Sequence, residues 1–493
     1  MSSAATSTTA PTPLRSPRVR RIVAAYTVNR LGTWFGFIAL SIAVYDHTAS
    51  AVAVAALLLA GQVIPAFLVP ALVARVETSS HRGALSRLYL FEAAATAMLA
   101  AVVMWHFTLV AVLVLVALDG TAALAASALL RASAARAARE WSYDRHAQTV
   151  PASASLPAQT YAGQAGIALA TGEGGLTATG FGADGGRIDA REASALEAER
   201  KANAAINIGF AITFTLGPAI AGPTVSAFGV PIALLIDVAS FLVCGAMLID
   251  LTPHVEDAET SSVRARLRAA WDHITTATTL RRLLLAQAVA LVFFEFSPPI
   301  EVAYAKTTLH AGDGGYGLLL GAWGLGAAIG SIVFARSIKR SLGVLLSAST
   351  LAVGVAYLGW AIAPSLAVAS AAGLIGGVGN GVQWAALISA VQRLTPERLH
   401  AQLMGAVEAI GAISPGIGFA LGGGIAAAGS PRTALLIAGV GAMASTIAFV
   451  RLPLGSLTVA TPAPVATESE PEWAPTDSSQ SRDSSPSSVR SSP

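Results

Sequence analysis

Charge is what this chain has least of. Asp, Glu, Lys and Arg together make up 12% of its 493 residues, where a soluble protein carries about a quarter. A surface so sparsely charged is poorly suited to water, so most of it is expected to face lipid. Cysteine is nearly absent: Cys244 stands alone, which excludes an internal disulfide framework and a thiolate metal cluster, and it reads as a small apolar helix residue. Lysine is scarce too. None of Lys201, Lys306 and Lys339 follows a glycine, so the Gly-Lys-Ser/Thr loop that cradles nucleotide phosphates is missing and ATP hydrolysis by that route is excluded. The net charge is only +3, with 31 basic residues dispersed along the chain, which is no footprint for nucleic acid. No nucleophile–base pair and no set of metal ligands gathers near either face, so neither enzyme activity nor a metal or other cofactor is expected.

What the chain does have is apolar residues, 54% of the total, in runs long enough to cross a bilayer, which takes roughly 20 residues. The runs are 22–45, 51–74, 88–107 and 108–130 and, after a long polar interruption, 204–227, 230–251, 283–304, 316–335, 343–363, 366–391, 402–428 and 433–450. The expected fold is all-α and integral to the membrane, with twelve transmembrane helices. The third and fourth runs nearly touch at His106 to Thr108. With the N-terminus placed inside, 28 of the 31 Lys and Arg lie in the connections and tails of that side, Lys306 and Arg432 lie outside, and Arg30 lies within a run. Positively charged connections stay cytoplasmic, which predicts that both termini are cytoplasmic. One missed helix would reverse the sign of every later connection. The segment before Ile22 is rich in Ser, Thr and Pro and the first run is long enough to span, so the reading is of a retained first span rather than a cleaved leader.

The chain divides accordingly. Residues 1–20 form an N-terminal tail expected to be disordered, 21–251 a first six-helix bundle, 252–281 a cytoplasmic linker, 282–452 a second six-helix bundle and 453–493 a Ser/Pro-rich tail. An Ala/Gly/Thr/Ser-rich insert at about 141–189 and the C-terminal tail lack apolar periodicity, and both are expected to be disordered. Within the linker, 263–274 carries Arg264, Arg266 and Arg268 and predicts an amphipathic helix on the inner leaflet. Gly317/Gly321 and Gly326/Gly330 have the four-residue spacing that lets helix backbones approach in lipid.

Several stretches resemble the major facilitator superfamily of transporters, and within it the drug and siderophore exporter branch that holds enterobactin-exporter-like and macrolide-efflux-like proteins. The first span and its exit, Asn29-Arg30-Leu31-Gly32-Thr33-Trp34 through Val44-Tyr45 to Thr48-Ala49-Ser50, resembles that branch's opening signature. Leu216-Gly217-Pro218-Ala219-Ile220-Ala221-Gly222 is similar to the Gly-Pro motif of antiporters, with Gly217, Pro218 and Gly222 as its key positions. Thr395-Pro396-Glu397-Arg398 to Met404-Gly405 resembles the connection between spans ten and eleven. The resemblance implies two six-helix bundles, a bacterial plasma-membrane location, a monomer and export of a drug-like compound, siderophore or secondary metabolite by alternating access, with protons as the exchanged ion. The connection between spans two and three departs from the family's Gly-x-x-x-Asp-Arg-x-Gly-Arg-Arg pattern, keeping only Glu77, His81 and Arg82 as candidate gate residues. Thr33 also stands where many relatives have an acid.

Ionisable groups inside spans are costly unless paired or hydrated, and so mark function. Arg30, Asp119 and Glu295 lie inside the first, fourth and seventh spans, and Asn380, Gln383 and Trp384 lie midway along the tenth. The resemblance puts those four helices around the central cavity. Asp119 and Glu295 are the candidate proton carriers. Arg30, Trp34, Asn380, Gln383 and Trp384 are the candidate substrate contacts, and Arg30 with Asp119 reads alternatively as a structural pair. Glu92 and Glu408, near the cytoplasmic ends, are further gate candidates, and Asp237 reads as a helix-to-helix hydrogen bond. Two rival readings stay open: a metabolite uniporter or importer, and a non-transporting membrane sensor or scaffold.

Overall fold

The computed structural model describes residues 13–69, 83–149, 182–251, 263–337, 339–396 and 399–459. Glu77, His81 and Arg82, together with 150–181 of the insert and 460–493 of the tail, lie outside them. The described chain is nearly all helix, its one β-bridge joining Ser341 to Thr458.

Twelve helices follow the apolar runs: α1 Pro17–Thr48, α2 Ala51–Val69, α3 Ala84–Trp105, α4 Leu109–Thr149, α5 Gly182–Phe228, α6 Val230–Met247, α7 Thr278–Thr308, α8 Gly312–Arg336, α9 Leu342–Ile362, α10 Leu366–Arg393, α11 His400–Ala428 and α12 Pro431–Val450. Eleven are long and apolar enough to cross a membrane by themselves, and α11 contributes a shorter apolar stretch, Ile413–Ala428. The starts are written locally. Ser16, Ser50, Ser341, Ser365 and Ser430 each accept a hydrogen bond from a backbone N–H of the first turn, satisfying donors that a helix start leaves open. The narrow break between α3 and α4 falls at His106–Thr108, as the sequence predicts.

Helices α1–α6 pack as one bundle and α7–α12 as a second, and the linker helix Val263–Thr276 packs against α7 and α11. The insert is narrower than its composition suggests. Helix α4 runs to Thr149 and α5 starts at Gly182, so 141–149 and 182–189 are helical rather than disordered. At about 1.5 Å per residue, the 41 residues of α4 and 47 of α5 exceed the roughly 30 Å hydrocarbon core. Their projecting ends are tied by Arg139 to Glu199 at 2.6 Å and by Tyr143, whose hydroxyl donates to Glu192 at 2.7 Å. Arg18 of α1 joins them through Glu140 at 2.8 Å. The ordered chain also extends past 453, where the Leu342 N–H donates to Leu457 O at 2.8 Å and Leu454 is fully buried. It starts before 20 as well: Pro13–Arg15 is helical and α1 begins at Pro17, so 13–20 are helix and cap rather than disordered tail.

Candidate functional site

Among the described residues, the close contacts between the two bundles gather toward one end. Helices α5 and α8 cross where Gly222 faces Gly317, and a Cβ on Gly222 would stand 2.6 Å from the Gly317 Cα. Only two glycines permit that approach. The contact continues through Ala219 against Gly321 and ends at Phe214 and Thr215 against Gly324. Helices α2 and α11 meet through Ala51 and Ala55 against Gly423 and Val63 against Gly416. At the rim, Lys306 of α7 pairs with Asp46 of α1 across the halves and with Asp313 of α8 at 2.6 Å. All these contacts lie toward the end that holds Thr48, Ala51, Phe228, Gly312 and Ala428, the end whose connections carry only Lys306 and Arg432. Toward the basic end no glycine crossing or ion pair joins the halves among the described residues.

Helix α1 shows where the separation begins. Its stripe Arg30, Trp34, Phe37 and Ser41, at helical spacing, turns toward the second bundle. Ser41 lies beside Tyr316 of α8, and Phe37 packs on the cluster formed by Ala55, Leu58 and Phe419 of α11. Trp34 stacks edge-on against Phe214 and fills the space that Gly217 leaves open, which gives the Gly217-Pro218 motif a concrete packing role. Arg30, lowest on the stripe, is half-buried and meets nothing from the second bundle. Its Nη2 lies 3.4 Å from the Ser127 hydroxyl of α4, and its guanidinium lies over the rings of Tyr26 (5.6 Å) and Phe210 (6.0 Å).

Across the opening, α7 is not continuous. It is helical over Thr278–Phe294, breaks at Glu295, Phe296 and Ser297, and resumes at Pro298–Ala303 and a π-turn, Tyr304–Thr308. Pro298 and Pro299 lack the N–H groups a helix needs and so free carbonyls in mid-membrane. The Tyr357 hydroxyl takes one of them, donating to Phe294 O at 2.6 Å. Glu295 sits at the break, half-buried, with no hydrogen-bond or ion-pair partner among the described residues. Glycines of α11 admit the broken backbone: a Cβ on Gly418 would lie 2.7 Å from the Glu295 Cβ, and one on Gly422 would lie 2.3 Å from Phe296 O.

Other expected site residues fall elsewhere. Asp119 accepts from the Thr96 hydroxyl of α3 at 3.3 Å; it does not bond Arg30, so the structural pair between them is not made. Glu92, expected at a gate, is fully buried inside the first bundle with both carboxyl oxygens lacking partners, and the charges acting on it are Asp119, Asp237 and Arg30. Asp237 Oδ1 also lacks a partner, where a helix-to-helix hydrogen bond was expected, and its carboxyl packs on Gly32 and Gly36. Gln383 is buried between helices: it donates to Gln287 of α7 at 2.9 Å and accepts from Ser349 and from Thr350 (2.9 Å) of α9. Asn380 is half-buried and Trp384 is exposed one turn further along α10. Glu408 lies in α11, its side chain outside the described residues.

Sequence reading missed four groups. Glu301, inside the seventh run, is buried and accepts from the Ser297 hydroxyl at 2.7 Å. Lys306 follows the end of that run and Arg131 the end of the fourth, so both read as ordinary connection charges. Tyr26 gave no signal beyond being an aromatic residue in an apolar run.

A helix broken at an acid, two six-helix bundles and a set of contacts that joins them at one end together match the plan of an alternating-access carrier. The family profile described as transmembrane secretion effector matches residues 192–479, more than half of the chain. The chain belongs to that family. It is a multi-pass membrane transporter of the major facilitator fold. Among solved structures it is similar to the nucleoside transporter NupG, with 10% identity, 89% of this chain and 99% of that chain covered and a TM-score of 0.62. A bacterial homologue of the human lysosomal transporter Spinster, inward-facing and unoccupied, matches at 10% identity with 88% and 97% covered and a TM-score of 0.57. A bacterial homologue of the iron transporter ferroportin, also inward-facing, matches at 16% identity with 88% and 98% covered and a TM-score of 0.58. At these identities the likeness shows the fold alone. No curated protein matches the sequence significantly.

Proposed function

We propose that this transporter exports a small molecule from the cytoplasm of a bacterium in exchange for protons, acting as a monomer in the plasma membrane with both termini inside. The basic end is then cytoplasmic by the positive-inside rule, and the arrangement described above is the inward-open state, ready to load. The observation that carries the reading is Glu295. A mid-membrane carboxyl with no hydrogen-bond or ion-pair partner among the described residues, set at a helix break, is suited to give up a proton to the cytoplasm as substrate enters and to take one from outside once the halves rock over. Asp119 is the second candidate, reached from the first bundle. The Gly217-Pro218 motif and the family's description as a secretion effector support export over import.

The test is a survival profile across toxic compounds in an efflux-deficient bacterium making wild type, Glu295→Gln or Asp119→Asn at matched membrane levels. Wild type is expected to protect against at least one compound and Glu295→Gln to abolish the protection. In vesicles, acidifying the external side is expected to speed outward flux in wild type and to leave Glu295→Gln unchanged. Equal, pH-independent flux in wild type and both variants removes the proton role, and net uptake by wild type removes the direction.

A further inference from the structure

Arg30 and Arg131 stand in the first bundle, and among the described residues no carboxylate lies within ion-pair distance of either. They share one tyrosine. The Arg30 guanidinium lies 5.6 Å and the Arg131 guanidinium 5.2 Å from the Tyr26 ring centre. Arg131 Nη2 donates to the Tyr26 hydroxyl at 2.8 Å, and its Nη1 lies 3.5 Å from Asn207 Oδ1 on α5. Phe210, one turn beyond Asn207 and 40% exposed, offers Arg30 a second ring face. Three helices, α1, α4 and α5, thus hold two permanent cations around aromatic faces. Glu92, the acid whose field reaches Arg30, does so through the bundle without a hydrogen bond to it.

This arrangement is expensive without a ligand. A guanidinium at membrane depth needs a partner or water, and two of them around one ring repel each other. A long side chain reaching the membrane–water interface accounts for Arg131, which lies just past the apolar run of α4. It does not account for Arg30, 13 residues and about 20 Å along α1 from Pro17. An anion with a flat body answers both features: guanidinium forks bind carboxylate, sulfonate or phosphate oxygens in pairs, and aromatic faces stack on the rest.

We propose that Arg30 and Arg131 form the anion-binding subsite of the transport cavity, and that the transported molecule is an organic anion whose planar apolar part lies on Tyr26 and Phe210. Arg131 stands nearer the mouth and Arg30 deeper, so the anionic group is received at the mouth and handed inward. The proposal rests on the transport reading given above.

The test uses the full-length protein in lipid nanodiscs with salicylate, 2-naphthoate and indole-3-acetate, their three carboxamides, and 2-naphthylmethylamine as a cation of similar shape. Affinities are measured by calorimetry for wild type, Arg30→Gln, Arg30→Lys, Arg131→Gln and Glu295→Gln, each with its melting temperature as a folding control. At least one carboxylate is expected to bind wild type and Glu295→Gln saturably, at least about tenfold tighter than its amide. Arg30→Gln and Arg131→Gln are expected to weaken it by about 10- to 100-fold, the range for losing a charged hydrogen bond, and Arg30→Lys by less. No binding of any carboxylate, amides or amine binding as tightly, or folded arginine variants that bind like wild type each overturn the subsite. Proteoliposome flux separates the two readings. A carboxylate that binds but is moved in neither direction keeps the subsite and removes transport, whereas amine flux that depends on Glu295 with no carboxylate binding keeps transport and removes the subsite.

Discussion

Gln383 and Glu295 are both polar groups in mid-membrane, and their surroundings give them opposite roles. Gln383 has its amide satisfied on both sides by Gln287, Ser349 and Thr350, and only 2% of it is exposed. It therefore joins α7, α9 and α10 rather than reaching substrate. Replacing it with leucine is expected to lower stability by about 1 kcal/mol, the scale of interhelical hydrogen bonds in lipid, read as a lower melting temperature in detergent, while flux per folded molecule stays near wild type. Glu295 has no such partners among the described residues and is the proposed proton carrier, so Glu295→Gln is expected to keep the melting temperature and lose flux. From sequence the two were indistinguishable, each being one polar residue in an apolar run. The same holds for Glu301, whose bond with Ser297 depends on the turn that Pro298 and Pro299 impose.

Helices act here as surfaces that must come together and part. The break in α7 is accommodated by the glycines of α11, so Gly422→Val is expected to push its new methyl groups against Phe296 O, 2.3 Å from where a Cβ would stand. The variant should insert and fold but lose most of its flux, and Gly424→Val, where a Cβ meets nothing within 4 Å, should not. At the seal, Lys306 projects from the π-turn of α7 to Asp46 of the opposite bundle. Lys306→Gln removes that tie, and surface ion pairs contribute about 0–1 kcal/mol, enough to shift a near-balanced equilibrium up to about fivefold. A cysteine at Ala55, 3% exposed against Gly423 in the closed seal, is expected to react faster with a membrane-impermeant maleimide from outside in the Lys306→Gln background. The native Cys244 is buried and supplies little background.

For the whole molecule, asymmetry is the feature that matters: among the described residues, the glycine-rich crossings and the ion pair that join the bundles gather at one end. A cysteine at the exposed Asn207 is expected to react in inside-out vesicles and to be protected in right-side-out ones, the reverse of the Ala55 pattern. Labelling of Asn207 from the outside would reverse the assigned topology. The projecting ends of α4 and α5, tied by Arg139, Glu199 and Tyr143, extend the first bundle beyond the membrane on the basic side. Nothing local in the sequence indicated that α4 would continue past Trp141 beside the start of α5.

By itself the sequence determined that this is a membrane protein of twelve helices with its basic side in one direction. Those properties are sums over about 20 neighbouring residues and over single connections, so no folding is needed to evaluate them. The tertiary structure alone decided which side chains meet across helices. In lipid both the packed and the outward faces of a helix are apolar, so periodicity does not say which face turns inward. Arg30, Glu295 and Gln383 were found because they are polar, yet only packing left Glu295 without a hydrogen-bond partner among the described residues, set Arg30 against Tyr26 and Phe210, and made Gln383 a bond between helices. Arg131 and Lys306 lay just outside the runs and read as connection charges, and only the approach of α1, at Tyr26 and at Asp46, gave them partners.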